Sequence, residues 1–416
     1  VAPPPHVGPR VDPIDVPGAL RATEVDTACR HDVAAVLPHI ERVLGKIAFD
    51  RSMCVVGPLC IPLALARLGE LHEGGDIIVN SSISWSTESL LTLTAHGDII
   101  VNQSISSDNG GGLALEYGQG AIAAGNTADY YVNAAINLTS DGSFSTKLGS
   151  DGTVIDYTII TSLGSESSVT PTDLQGINGT WDGTSVSGYY VLGADIDASA
   201  TVGWNDGGGF SSLGNGEYFE GIFDGLGHTI SNLVIDHYTT SPLGLFNELA
   251  EFSEIRNLGL VDGFMNGSDL VGGLVGENHG TLFNVFVTGD AGGNSVIGGL
   301  AAINYGTITD AYVTGNVSGG VYAGGLVGFH YGDISNAFAS SDVGDTLNAG
   351  GLIALNDGNV TNAYASGNVT GSDNAGGLIV SNYGSVSNTY ATGLVTGRIN
   401  SGGLIGFLGD SASVTN

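Results

Sequence analysis

The stretch AGGLIALNDGNVTNAYASGNVTGSDN (residues 349–374) runs directly into AGGLIVSNYGSVSNTYATGLVTGRIN (375–400), and the two align column by column at a step of 26 residues. The Gly-Gly-Leu triplet keeps that step throughout, with its first glycine at Gly272, Gly298, Gly324, Gly350, Gly376 and Gly402. An aromatic column passes through Phe286, Tyr312, Phe338, Tyr364 and Tyr390, preceded two residues earlier by Asn284, Asp310, Asn336, Asn362 and Asn388. Hydroxyls follow two residues later at Thr288, Thr314, Ser340, Ser366 and Thr392, and valines recur at Val317, Val343, Val369 and Val395. A fixed period of this length outranks local propensity in deciding the fold.

Each unit reads as short strand-like pieces parted by Gly- and Asn-rich turns, with no helix-length 3.6-residue pattern between them. Pieces this short cannot sustain a hairpin, so the units above and below must supply their hydrogen bonds. The prediction is an all-β parallel solenoid in which equivalent residues stack at ~4.8 Å into ladders along the axis. Weaker coils come before the strict array. FEGIFDGLGHTISNLVID (219–236) and residues 243–263 share an Ile-x-Asn-Leu step at Ile230 and Ile255, and GDIIVNSSIS (75–84) recurs as GDIIVNQSIS (97–106). The chain therefore divides into a non-repetitive segment 1–73, an irregular β-helix-like region 74–214 and a repeat region 215–416. If all of 74–416 is solenoid, it holds ~14 coils over ~65 Å.

Composition agrees with this division. The chain carries a formal net charge of −32, with 10 basic residues, of which only Lys147, Arg256 and Arg398 lie beyond residue 73. A polyanion of this kind repels nucleic acid and anionic membrane surfaces. An apolar content of 42% argues against disorder. Residues 1–73 hold every cysteine (Cys29, Cys54, Cys60), without metal-ligand spacing, and read as a Pro-rich start followed by helix-like stretches at 31–49 and 62–71. The uncharged run 52–66 is too short to span a bilayer and is internal for a signal peptide.

The units G-G-L-V-G-x-N-x-G followed by N-A-Y-A-T-G resemble the GLUG motif of bacterial surface proteins. YYVLGADIDASATVGWNDGGGFSSLG (189–214) leading into FEGIFDGLGHTISNL (219–233) resembles the stretch ahead of such repeats in filamentous-haemagglutinin-type adhesins. The GDIIVN pair, with LTLTAHG between its members, is similar to the β-helical body of the same proteins. The resemblance implies a right-handed parallel β-helix and export by two-partner secretion through an outer-membrane transporter of a Gram-negative bacterium. It also implies a secreted or cell-surface location and adhesion to host or environmental glycans or proteins. Residues 1–73 contain no N-P-N-L-type motif of the secretion domain that leads such proteins. The chain stops early in a coil, which suggests truncation or end-to-end self-association.

Chemical sites are sparse. Some IgA-cleaving metallopeptidases also carry GLUG repeats, but the nearest match to their H-E-x-x-H zinc motif is His72-Glu73-Gly74-Gly75-Asp76, with Asp in place of the second ligand. A polysaccharide lyase or hydrolase on the same scaffold is the alternative function. It would need paired carboxylates, or a carboxylate with Arg256 or Lys147, open on one groove. Asp195 with Asp197, and Asp224 with His228, are the candidate pairs, and each also reads as turn chemistry. No catalytic, cofactor or metal site is predicted; the acidic turns suggest calcium only by composition. The aromatic column Phe286, Tyr312, Phe338, Tyr364 and Tyr390 is the candidate ligand platform, although a stacked ladder is more commonly internal packing. The Asn column is expected to pair its own amides from coil to coil. The Thr/Ser column, with one hydroxyl per coil, falls short of an ice-binding face.

Overall fold

The computed structural model describes residues 47–49, 75–180 and 185–415. The three cysteines, the helix-like stretch 62–71, the His72-Glu73 pair and most of 31–49 lie outside the described residues. The last three residues of the 31–49 stretch are not helical. Ile47–Phe49 is a strand that pairs antiparallel with Leu91–Leu93. Its backbone covers the edge that the first coil would otherwise leave open.

The described chain is a β-solenoid of about 13 turns, nearly free of helix. Its first block has three sides. Ile77–Val79, Ile99–Val101 and Tyr130–Val132 stack in parallel on one side, and Ile83–Trp85, Ile105–Ser107 and Ile136–Asn137 on the second. Leu90–Thr94, Gly112–Tyr117 and Ser143–Leu148 form the third. The doubled GDIIVN units sit in register, Ile77 on Ile99 and Val79 on Val101, so the period-2 alternation of I-I-V buries its first and third residues. Outside, Asn133 donates to Asn102 at 2.8 Å and Asn102 to Asn80 at 3.0 Å.

One junction departs from the uninterrupted parallel stack expected of 74–416. Ser143–Leu148 and Ile155–Ile160 pair antiparallel, with Phe144 opposite Tyr157, around a turn containing Asp151-Gly152. From Ile155–Ile160 onward the strands of this sheet stack in parallel again, opposite in direction to those of the first block. The apolar interior divides near the same place, one core drawing on Ile77 to Ile159 together with Val191 and Leu226, and the other on residues between Ile160 and Val386.

In the second block the coils tighten toward the strict repeat. Ile196 pairs with Ile230, Ile230 with Leu260 and Leu260 with Val287, after which Val287 pairs with Val313 at the 26-residue step. The predicted columns are ladders. Asn284, Asp310, Asn336, Asn362 and Asn388 all have φ between 50° and 53°. Asn and Asp tolerate this left-handed conformation better than other side chains, which accounts for the column. Their amides pair as expected where both partners are Asn, Asn388 to Asn362 and Asn362 to Asn336, each at 3.1 Å. The hydroxyl column lies at exposed or half-buried turn positions, whereas Val317, Val343 and Val369 are buried.

A second asparagine ladder is internal. Asn278, Asn304, Asn356 and Asn382 are fully buried, and His330 takes the place of one member. Asn278 donates to Asn304, and Asn356 to Asn382, at 2.6 Å. The Asn304 amide faces His330 Nδ1 at 3.0 Å, and His330 Nε2 lies 3.2 Å from the Asn359 carbonyl. With an amide donor on Nδ1, that nitrogen must accept, so the proton sits on Nε2. Burial lowers the His330 pKa from 6.5 to about 4. The folded state therefore binds fewer protons than the unfolded state between these values, and stability is lost as pH falls through the window. The loss by pH 4.5 is on the order of 2–3 kcal/mol. His330→Asn, which restores the ladder residue, should remove that part of the acid sensitivity. Urea melts of both proteins at pH 7 and pH 4.5 check this; equal losses in the two would refute it.

Candidate functional site

The strand pieces carrying the aromatic column alternate. Val285, Ala311, Ala337 and Ala363 on one side of the ring position, and Val287, Val313, Ala339 and Ala365 on the other, are buried. The rings between them therefore point outward and are half-buried or, at Tyr390, exposed. This corrects the expectation of internal packing. The interior of a coil this thin accepts small and β-branched residues, and the bulky ring takes the outer face. The sequence shows Ala or Val on both sides of the first four rings, but not which face of the strand is the inner one.

The rings form one stack. Phe286 lies 4.9 Å from Tyr312 and Tyr312 4.9 Å from Phe338, each pair 2° from parallel. Phe338 to Tyr364 and Tyr364 to Tyr390 follow at 4.8 Å. Phe286 itself sits on Gly259, its register partner, where a Cβ would collide with the ring. At this spacing each ring face is covered by the next, so a sugar cannot lie flat on the middle rings. What the solenoid offers is a strip of ring edges, with the tyrosine hydroxyls at Tyr312, Tyr364 and Tyr390. A second outward stack of His279, Tyr305 and Tyr331 follows the buried asparagines, with centroid distances of 4.8 and 5.0 Å.

The candidate acid pairs are rearranged. Asp195 accepts from the Thr229 N–H at 2.8 Å and lies 3.2 Å from His228 Nδ1, so His228 belongs with Asp195 and not with Asp224. Partial burial disfavours the Asp195 charge, but these hydrogen bonds outweigh it and hold its carboxyl below the usual value. Asp197 caps its own turn through the Ser199 N–H at 3.0 Å and accepts from Asn232 at 3.1 Å. Both are the turn duties that the D-I-D sequence also allowed.

Asp224 goes inward, into a charged cluster around Arg256. Arg256 makes a two-pronged contact with Asp129, 3.1 Å on each arm, and donates to the Tyr130 carbonyl at 2.8 Å. Glu254 stands 3.3 Å and Asp224 3.9 Å from the same guanidinium, which lies over the Tyr130 ring at 4.2 Å. Tyr130 O–H, the Leu226 N–H and Asn257 all donate to Asp224. Burial opposes the Arg256 charge, yet Tyr130, Glu254, Asp224 and Asp129 hold its pKa well above the ordinary value. Burial also pushes the Asp224 carboxyl up against the pull of Arg256. The cluster brings together acids from both blocks; Asp129 and Glu254 reach the surface, but Asp224 has no solvent exposure and Arg256 only 6%, so that pair is closed to a polymer. The other two cations beyond residue 73 lie elsewhere, Lys147 bonded to the Ser150 carbonyl and Arg398 to Asp373. Beside the cluster, a cavity of about 180 Å³ opens between Tyr131, Asn257, Phe283 and Asp310, below the ~300–1,000 Å³ of typical small-molecule sites.

Comparison with known proteins adds the following. The GLUG motif is matched over residues 345–370, one length of the repeat. The chain is 42% identical over 147 residues to halomucin of Haloquadratum walsbyi, a match covering 33% of this chain and 2% of halomucin. It is 35% identical over 104 residues to a protein described as a Gly-rich membrane protein of Evansella cellulosilytica, covering 24% of this chain and 12% of that protein. The chain thus spans a small part of the relatives it matches. Among solved structures, one described as an immunoglobulin A1 protease from Bacteroides ovatus aligns at 20% identity and a TM-score of 0.40, over 63% of this chain and 74% of that one. An IgA1 protease aligns at 19% identity and a TM-score of 0.45, over 66% of this chain and 23% of that one.

Proposed function

We propose that this chain is part of a surface or secreted repeat protein whose solenoid attaches by multivalent display, without catalysis. The observation that carries the reading is the repetition of one outward chemistry. Phe286, Tyr312, Phe338, Tyr364 and Tyr390 present a ring edge once per coil, at 4.8–4.9 Å. Individually weak contacts of this kind, repeated on a stiff support, gain through effective concentration. The GLUG match and the similarity to halomucin and to a Gly-rich membrane protein support a surface or secreted location. The finer expectation is a filamentous-haemagglutinin-type adhesin that binds host or environmental glycans or proteins after two-partner secretion across a Gram-negative outer membrane. A transporter gene beside the coding sequence would support that route.

The test applies the full chain to glycans and matrix proteins printed at several densities. Retention should rise steeply with ligand density. The Tyr312→Ser/Tyr364→Ser variant should bind about 10-fold more weakly. Each replaced ring also removes stacking on both sides, so the melting temperature should fall, by the equivalent of about 1–2 kcal/mol per ring. Retention that ignores density would overturn multivalent attachment. Release of soluble oligosaccharide from the printed glycans would replace it with the polysaccharide-processing alternative.

A further inference from the structure

The repeat breaks its own pattern at three positions that meet in space. In the outward column beside the buried asparagines, Glu248, Glu277, Ile303, Phe329 and Leu355 follow one another in register. The later coils thus place no carboxylate where the first two do, with Ser381 next in the column after Leu355 and Phe407 after that. In the next column Tyr305 and Tyr331 are preceded by His279. Like charges directly opposite each other on adjacent strands repel. Here both carboxylates converge on one imidazole nitrogen. His279 Nε2 lies 3.3 Å from Glu248 Oε1 and 3.3 Å from Glu277 Oε1, and the three atoms lie within 4.8 Å of one another.

These separations suit a metal centre. A tetrahedral site with bonds of ~2.0–2.1 Å to nitrogen and oxygen has ligand-to-ligand edges of about 3.3–3.4 Å. The surroundings orient the donors. Tyr305 stacks on the imidazole at 4.8 Å and 14°, backed by Tyr331, which leaves the Nε2 edge turned to the carboxylates. On the coil before, Tyr218 is in register with Glu248 and hydrogen-bonds to its carboxylate. Partners of this kind around a ligand set orient it. Side-chain exposures of 18% for Glu248, 20% for Glu277 and 34% for His279 leave the site accessible from solvent.

We propose that Glu248, Glu277 and His279 bind a divalent first-row transition metal of the zinc class, with the fourth position open to water or an external ligand. The imidazole donor and the short edges select against calcium, which takes six to eight oxygens at about 2.3–2.6 Å. The metal joins two adjacent coils where the strict repeat begins, and it neutralises a carboxylate pair that the rest of the column avoids.

The test strips the full chain with a chelator, titrates it with zinc chloride by calorimetry, and follows the histidine ring nitrogens by NMR after selective ¹⁵N-histidine labelling. The expected result is one equivalent bound at micromolar affinity or tighter, a shift of the His279 Nε2 resonance, and a higher melting temperature with zinc. Glu248→Gln/Glu277→Gln and His279→Asn should each weaken that equivalent about 100-fold or more. The metal-free glutamine variant should melt no lower than the metal-free parent, since the like-charge pair is relieved, which separates lost ligation from lost fold. An unchanged equivalent in both variants would place the ion elsewhere. Displacement of zinc by equimolar calcium would reduce the binding to the general attraction of a polyanion. An unmoved His279 resonance would leave the imidazole held between two glutamates, with no metal. Any of the three overturns the proposal.

Discussion

Replacing Gly351 with alanine should split the solenoid's unfolding, with the coils around residue 351 melting well before the rest. The second glycine of each Gly-Gly-Leu triplet stacks on its counterpart one coil away. A Cβ on Gly351 would drive into the Gly377 carbonyl oxygen and come within 3.0 Å of its carbon. That obstacle is backbone, held by the bond from the Gly351 N–H to the Gly376 carbonyl at 3.0 Å, so no rotamer can yield. Overpacking usually costs ~1–3 kcal/mol, and against an immovable neighbour about 3 kcal/mol or more. Because each coil contacts only its neighbours, the loss uncouples the array locally. Gly344 provides the control. Nothing lies within 4 Å of its Cβ position, and Gly344→Ala should be neutral or stabilise by up to about 1 kcal/mol through the unfolded state. Circular-dichroism melts of the two variants decide it, and a Gly351→Ala melt superimposable on the parent would sink the steric account of the triplet.

Arg256→Met should detach the first block. Removing the guanidinium leaves Asp224, fully buried, with Glu254 and Asp129 around it and no positive partner. Stranding a buried charge in this way costs about 3–5 kcal/mol, far more than a surface ion pair is worth. Since Asp129 and Tyr130 come from the last coil of the first block, hydrogen exchange should accelerate over residues 75–148 while the 26-residue coils stay protected. Asp224→Asn combined with Arg256→Met should recover part of the loss, because a neutral amide is cheaper to bury than an unpaired carboxylate. Uniform deprotection along both blocks would show that Arg256 supports the whole stack and not the seam.

The sequence was most legible where it repeats. A constant step of 26 residues translates directly into register, so the sequence itself places the glycine triplets, the Asn corners and the ring column on successive coils, and the strands that carry the corners and rings pair as the step requires. The doubled GDIIVN units did the same for Ile77 and Ile99. Where the spacing stretches, from Ile196 to Ile230 to Leu260, loops of unequal length hide an equally regular ladder, and the shared Ile-x-Asn-Leu step misaligns it: Ile255 stacks on Phe223, not on Ile230.

A period states which residues are neighbours, and from the sequence of this chain by itself the parallel solenoid and its ladders follow. It does not state what a ladder faces or what a non-repeating segment touches. Three-dimensional packing decided that the rings lie outside, because coils lined by Ala311, Ala337 and Ala363 have no room for them within. It decided that the strands reverse between Ser143–Leu148 and Ile155–Ile160, since one Asp-Gly turn among many carries no sign of changing direction. It brought Arg256 to Asp129, 127 residues away, and set Glu248 and Glu277 against His279. Such contacts join residues outside the period, and their energy exists only once the backbone has brought the charges together.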